Sequence, residues 1–561
     1  MTHEPGSQFP LSLEHEALAS VNYLTRLVEP ETGFTFFDVY LTDPAEAAHD
    51  WPDFLDVPGR SAEAAALVRH ITGRDVETET AFFSRIYSFQ EDDGWFWRPE
   101  TTVTRHEMHP EEQALVLGAL LSRAIGDDDA EAQGRLTRLV DALAAWAAPV
   151  GPFGSMTLRS VVRAHEAFGS RSARSFIERV TQRLTEEQPL FRSDGTFAGH
   201  VHSHLHAAAG LAEAGRVLGC DAVVEWMDRV FRAMRDRSTD FGFIPELTER
   251  DDDVIACETC CIMDYIHLAI ALTRAGHTEY FDDIERTVRN HLVESRVQHG
   301  DWLPASPDAM DDQLIRRRGV QRDVIGAYAG WSSPNHILAY DEFLPPAWLK
   351  TSDLAPIYLH KVRALQNCCS PSGAKALYLA WQHASVVEGS TLRINLLLDR
   401  ALPEAEVRGG EPWEGTVSVR LDAPLTVAMR LPRGVSPKAV AAAVGDRPVP
   451  LTPRDGYVET PKLDSGVTVL FSYPLHERTE SAVIGNEGYH QYEYTVRWRG
   501  STVLSVEPGE NACLGRSRLM DQPVRLYYGK EGPHPLYQRA GLLAGSPSHR
   551  HLHVSRGPGV W

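Results

Sequence analysis

Cys257-Glu258-Thr259-Cys260-Cys261-Ile262-Met263-Asp264-Tyr265-Ile266-His267-Leu268-Ala269-Ile270-Ala271-Leu272-Thr273-Arg274-Ala275 sets a cluster of thiols directly before a run whose apolar residues recur at helical spacing. The spacing predicts a helix from Ile262 to Ala275. A second stretch, Asn367-Cys368-Cys369-Ser370-Pro371, stands before the run Ala374 to Ala384, with Ser370 as an N-cap residue and Pro371 at a first helical position. The chain has seven cysteines, and five of them fall in these two places. Both clusters are therefore expected at helix N-termini.

Working outward, helical patterns come in pairs from about Leu11 to Ala384. The expected hairpins are 60–73 with 76–88, 110–126 with 131–148, 156–168 with 172–188, 200–218 with 220–236, and 254–275 with 277–298, separated by turn formers such as Gly126-Asp127-Asp128 and Gly169-Ser170. Helices near 11–28 and 371–385 close the set. Five or six helical hairpins in one unit predict an (α/α)6 toroid over residues 1–387.

After Val387-Glu388-Gly389 the texture changes to strand-length pieces: Thr391 to Leu398, Gly415 to Arg420, Leu425 to Leu431 and Gly466 to Ser472, with Pro and Gly between them. They predict a β-sandwich over 388–478, so the chain reads as a multidomain α+β protein. Further pieces at 492–496, 502–506 and 523–528 predict added strands or a second small β-unit within 479–561, ending in an irregular tail from Gly545 to Trp561. One non-helical insert, 301–349, interrupts the helical region; it holds Arg316-Arg317-Arg318 and Trp331, and is either a wall of the pocket or a surface excursion.

A formal charge of -22 argues against nucleic acid or an anionic membrane as the partner. The start, Met1-Thr2-His3-Glu4-Pro5-Gly6, lacks a basic and then apolar leader, and no apolar run reaches spanning length. An odd number of clustered cysteines does not fit a secreted disulfide framework, so a cytoplasmic protein with usable thiols is expected. The oligomeric state is open, a homo-oligomer included.

The positive end of a helix favours thiolate over thiol. Glu258 with Cys260, and Cys368 with Cys369, cannot share one face of a regular helix, so chelation needs the irregular backbone before it. Thiolates with one carboxylate suit zinc best among common metals. The plainer alternatives are buried core cysteines and a closed structural zinc. Gly199-His200-Val201-His202-Ser203-His204-Leu205-His206 supplies one or two pocket histidines, with the others expected on the surface. His106 and His109 open another helix, after the aromatic group Trp95-Phe96-Trp97. Glycosidic chemistry needs a nucleophile or base and a proton donor, and Glu246 and Glu249, just upstream of the thiols, are the candidates; solvated loop charge is the plain alternative for each.

Glu258-Thr259-Cys260 before a helix, and Cys368-Cys369 with Pro371 two places on, resemble the glycoside hydrolase family 127 β-L-arabinofuranosidases and their relatives. The order of parts agrees, a helical toroid and then Pro412-Trp413-Glu414-Gly415-Thr416-Val417 and Met429-Arg430-Leu431-Pro432 in the β-region. The resemblance implies that Glu258, Cys260, Cys368 and Cys369 bind zinc. It further implies that Cys368 is the nucleophile of a retaining hydrolysis of arabinofuranoside-type or related glycans, assisted by a glutamate acid/base. The family's Gly-Glu-Ala-Phe-like stretch around that glutamate has no counterpart, which leaves Glu246 first and Glu249 second. Of the family's Gly-His-Ala-Val-Arg only Gly199-His200 matches, with Ser203 in place of the arginine. His200, His202, His109 and Trp331 are the candidate sugar contacts. Two alternatives stay open: a polysaccharide lyase with a structural zinc, and a catalytically silent glycan-binding protein.

Overall fold

The computed structural model describes residues 11–507, except 30–32, 42–43, 102–104, 147–150, 152–153, 250–255, 299, 301–302, 311–315, 340–363 and 486–490. Among them are twelve α-helices: α1 (Leu13–Arg26), α2 (Asp56–Thr72), α3 (Glu79–Tyr87), α4 (Pro110–Gly126), α5 (Ala130–Ala145), α6 (Thr157–Phe168), α7 (Arg171–Gln182), α8 (Val201–Leu218), α9 (Asp221–Arg235), α10 (Thr259–Arg274), α11 (Phe281–Thr287) and α12 (Cys369–Ala384). Helices α2, α4, α6, α8, α10 and α12 each pack against the next, and α12 closes the ring against α2. The remaining helices lie outside them, which is the (α/α)6 toroid expected from the paired patterns.

Inner and outer helices differ as their sequences require. Residues Val201 to Gly215 of α8 and Thr259 to Thr273 of α10 are all buried. In α9 burial follows one stripe, Val223, Val224, Met227, Val230, Phe231 and Met234, the period of a surface helix. Asp129 and Ser170 cap α5 and α7 through their side chains, and Gly73, Gly169 and Gly219 end α2, α6 and α8 in the left-handed conformation. The helix expected over 254–275 begins only at Thr259, because Cys257 is held extended in bridges to Pro245 and Ser332. No helix among the described residues is long and apolar enough to cross a membrane.

Beyond α12 the chain turns extended at Ser385 and builds two sheets. One has six strands and includes Ala405–Gly409, Thr416–Leu421 and Thr468–Ser472; the other has five and includes Thr391–Ile394 and Thr426–Arg430. Their inner faces share a core of Leu392, Ile394, Val407, Val417, Val419, Val427, Met429 and Phe471. Arg430 fastens this sandwich to α11, pairing with Asp282 at 3.2 Å and with Glu285. A third sheet, Glu477–Ile484, Tyr492–Arg499 and Thr502–Glu507, lays Tyr494, Trp498 and Val503 into the toroid's core. The strand expected at 523–528 and the tail at 545–561 lie outside the described residues.

Seven short strands lie in the connections that lead into α2, α8, α10 and α12: β1 (Asp38–Tyr40), β2 (Glu46–Ala48), β3 (Gly199–His200), β4 (Leu247–Thr248), β5 (Ala309–Met310), β6 (Arg316–Arg318) and β7 (Ala364–Gln366). Five form one antiparallel sheet in the order β5-β6-β2-β1-β7, which ties the 301–349 insert to the N-terminal region. The insert is buried in one part and at the surface in another: from Ala327 to Ala339 it is buried, whereas Pro304, Ala305, Asp308, Arg316, Arg318 and Arg322 are exposed.

Candidate active site

The two thiol stretches meet because α10 and α12 are neighbours in the inner ring and begin at the same end of it. Glu258 is the N-cap of α10 and Cys260 lies in its first turn; Cys368 is the N-cap of α12 and Cys369 its first residue. Strand β7 delivers Cys368 to this point. Gln366 pairs with Asp38 across the β1–β7 ladder, and the Asn367 N–H donates to the Phe37 carbonyl at 2.9 Å. The insert closes the other side: the Tyr328 N–H donates to Ser370 Oγ (3.1 Å), Thr259 Oγ1 donates to the Ala329 carbonyl (2.7 Å), and Cys257 and Ser332 exchange backbone hydrogen bonds.

The resulting group is small. Cys260 Sγ is 3.5 Å from Cys369 Sγ, which is 3.8 Å from Cys368 Sγ and 3.7 Å from Glu258 Oε1. One ligand atom from each of the four lies within 4.8 Å of the others, a set that could hold one metal ion. Glu258, Cys260 and Cys369 are buried, whereas Cys368 is partly exposed. Burial pushes the Cys260 and Cys369 thiols well up. Cys368 is drawn down to about 6 by hydrogen bonds from Cys260 and Cys369, against the opposing pull of burial. It is the thiol most ready to ionise.

His200 caps α8 and places Nε2 2.9 Å from Glu258 Oε2. Burial opposes charge on both partners, yet their mutual attraction wins: the His200 pKa is raised and the Glu258 carboxyl is held well below the usual range. Pairing of β3 with β4 then brings in Glu246. The Val201 N–H donates to the Glu246 carbonyl (2.8 Å), and the Glu246 N–H donates to the Ala256 carbonyl (3.0 Å). Atoms of His200, Glu246 and Glu258 lie within 4.8 Å of one another, and Glu246 is buried. This carboxyl stands beside the thiol group.

Glu249 is not brought there. One residue past β4 it takes a left-handed backbone, faces solvent and pairs with Arg192. His109 caps α4, with its ring 3.0 Å from Glu107 and 3.5 Å from Glu111. Trp331 packs with Ala256, Ala339 and Ala364. None of the histidines 202, 204 and 206 is on the surface, contrary to expectation, because α8 is an inner helix buried all round. His202 and His206, one turn apart, both face Asp264, while His204 stacks on Phe197 at 4.6 Å. Cys257 and Cys261 are buried beside the group but outside the set of four.

Arg60 and Asp264 escape a reading of the sequence. Arg60 reaches from α2 to within 3.9 Å of Cys260 Sγ and 3.2 Å of Ser372 Oγ and His202 Nε2. Its only local signal is Asp56 four residues earlier, at the head of an alanine-rich helix.

A closed ring of six helix pairs, a following β-sandwich, and one glutamate grouped with three cysteines at the inner-helix N-termini define the class of fold and site. It is the fold of the solved family 127 glycoside hydrolases. A β-L-arabinofuranosidase of that family from Geobacillus stearothermophilus T6 is 14% identical, with a TM-score of 0.55 over 87% of this chain and 80% of that one. A second family 127 β-arabinofuranosidase is 15% identical, TM-score 0.57, over 87% and 78%. A structure described as a glycoside hydrolase is 14% identical, TM-score 0.57, over 80% and 77%. No protein-family model matches the chain, and no curated protein matches its sequence.

Proposed function

We propose that the chain is a zinc-dependent retaining glycoside hydrolase with Cys368 as nucleophile and Glu246 as acid/base. The observation that carries this is the position of Cys368: of the four clustered groups it alone is partly exposed, and its thiol is the one drawn down to about 6. The donor set fits zinc. Three thiols and a carboxylate make the four ligands it prefers. The sulfur separations of 3.5 and 3.8 Å also match the edge of about 3.8 Å of a tetrahedron with Zn–S bonds of ~2.3 Å. When bound, zinc supplies the charge that keeps these thiols ionised at neutral pH.

The rest falls to the chain's own residues. The Cys368 thiolate attacks the anomeric carbon as the bond to the leaving oxygen breaks, and Glu246 gives that oxygen its proton. Glu246 then takes a proton from water, which displaces the sulfur and regenerates the thiolate, with net retention. His200, held at Glu258 beside Glu246, is the proposed sugar contact. Arabinofuranosides and related glycans are the proposed substrates, because the solved structures sharing this fold include family 127 β-arabinofuranosidases. The six described cysteines are all free, which supports a reducing, cytoplasmic setting. Turnover of aryl furanosides and pyranosides by wild type and Cys368→Ala tests the reading: hydrolysis lost in the variant supports it, and equal hydrolysis by both refutes it.

A further inference from the structure

Arg60 is a buried cation, 8% exposed, that touches four inner helices at once. Nε donates to Asp56 Oδ1 on its own helix at 2.6 Å. Nη1 points to Ser372 Oγ on α12 (3.2 Å) and Cys260 Sγ on α10 (3.9 Å), and Nη2 lies 3.2 Å from His202 Nε2 on α8. A guanidinium has only donors, so His202 Nε2 must accept and its proton sits on Nδ1, facing Asp264. Donation thus runs outward from Arg60 on two sides, through His202 to Asp264 and directly to Cys260.

Charge gives this arrangement a purpose. Three thiolates and a carboxylate around a divalent ion leave the centre two negative charges in excess, and burying such an excess is strongly unfavourable unless a cation accompanies it. His200 answers Glu258. On the sulfur side the Ser372 hydroxyl proton is already given to the Cys368 carbonyl, at 2.8 Å. Arg60 is then the side-chain donor aimed at Cys260. We propose that Arg60 is the built-in counter-ion of the Glu258–Cys260–Cys368–Cys369 centre, a positioning residue whose buried charge is held against the Cys260 side of it. This rests on the reading of those four groups as a zinc site.

The test is the zinc dissociation constant of the full chain, measured by competition with a chromophoric chelator, for wild type, Arg60→Gln, Arg60→Met and Arg60→Lys. Loss of the charge in R60Q should weaken zinc binding about 10- to 100-fold, the usual effect of removing a partner that supports a metal ligand. R60M, which fills similar volume, serves the same comparison if R60Q does not fold. R60K keeps the charge without the fork and should stay within about tenfold of wild type. A merely helix-tying arginine would leave zinc affinity unmoved once the variants fold. R60Q or R60M binding zinc as tightly as wild type overturns the proposal, as does R60K losing as much as R60Q. Wild type that binds no zinc overturns instead the reading of the centre.

Discussion

Cys260 and Cys369 stand 3.5 Å apart, sulfur to sulfur, across 109 residues of chain. The pair joins the first turns of α10 and α12, so an ion held by all four groups favours the folded ring over the unfolded chain. Saturating zinc at a thousand times its dissociation constant should add about 4 kcal/mol of stability. In a thermal melt, chelator is expected to lower the midpoint of the wild type by several degrees and to leave Cys369→Ala unchanged. A wild-type midpoint indifferent to chelator would contradict this.

Glu246 and Glu249 separate in the fold, one buried beside His200 and the other exposed on Arg192. Glu246→Gln should lower kcat by roughly 10²–10⁴ on a glycoside with a poor leaving group, and much less on an activated aryl glycoside. Glu249→Gln should leave both within about twofold, since an exposed ion pair contributes little. Equal losses in the two variants would exclude Glu246 as acid/base.

Gly373 carries the ring of Tyr328 flat against α12: an added Cβ would meet ring atoms at 2.3 and 2.5 Å. Tyr328 is fully buried, so the ring cannot swing away. Gly373→Ala is expected to destabilise by about 1–3 kcal/mol through overpacking, seen as a lower melting midpoint. It should also disturb the Cys368–Cys369 turn one helical turn away.

At the other end of α12, burial holds the His383 imidazole down to about 4, and its Nδ1 lies 2.9 Å from the Leu379 carbonyl. The unfolded chain takes up a proton near pH 6.5, which the folded chain refuses until about pH 4. This contribution to stability is therefore fully present above 6.5 and is lost as pH falls from 6.5 to 4, by at most about 3 kcal/mol. The urea midpoint should fall across that window, and His383→Gln should flatten the fall.

Periodicity was enough for the toroid, because each inner and outer helix carries its own pattern and turn signals. The thiol clusters were legible for a similar reason: five of seven cysteines stand before helical runs. What escaped depends on contacts across the ring. Arg60 meets Cys260 from 200 residues away, and Asp264 sits inside an apolar run where nothing marks its two histidines. The segment 326–339 reads as loop from its Gly, Ser, Pro and Asn, yet it is buried, with backbone groups bonded to Ser295, Val297, Cys257 and Ser370 and to one another. The alternating histidines misled for lack of one fact, that α8 has no surface side.

Zinc content per chain, determined on freshly reduced full-length protein beside Cys260→Ala and Cys368→Ala, tests the centre most directly. About one zinc in wild type, with clearly less in both variants, is the result expected of a four-ligand site. Wild type without zinc, yet fully active, would contradict it.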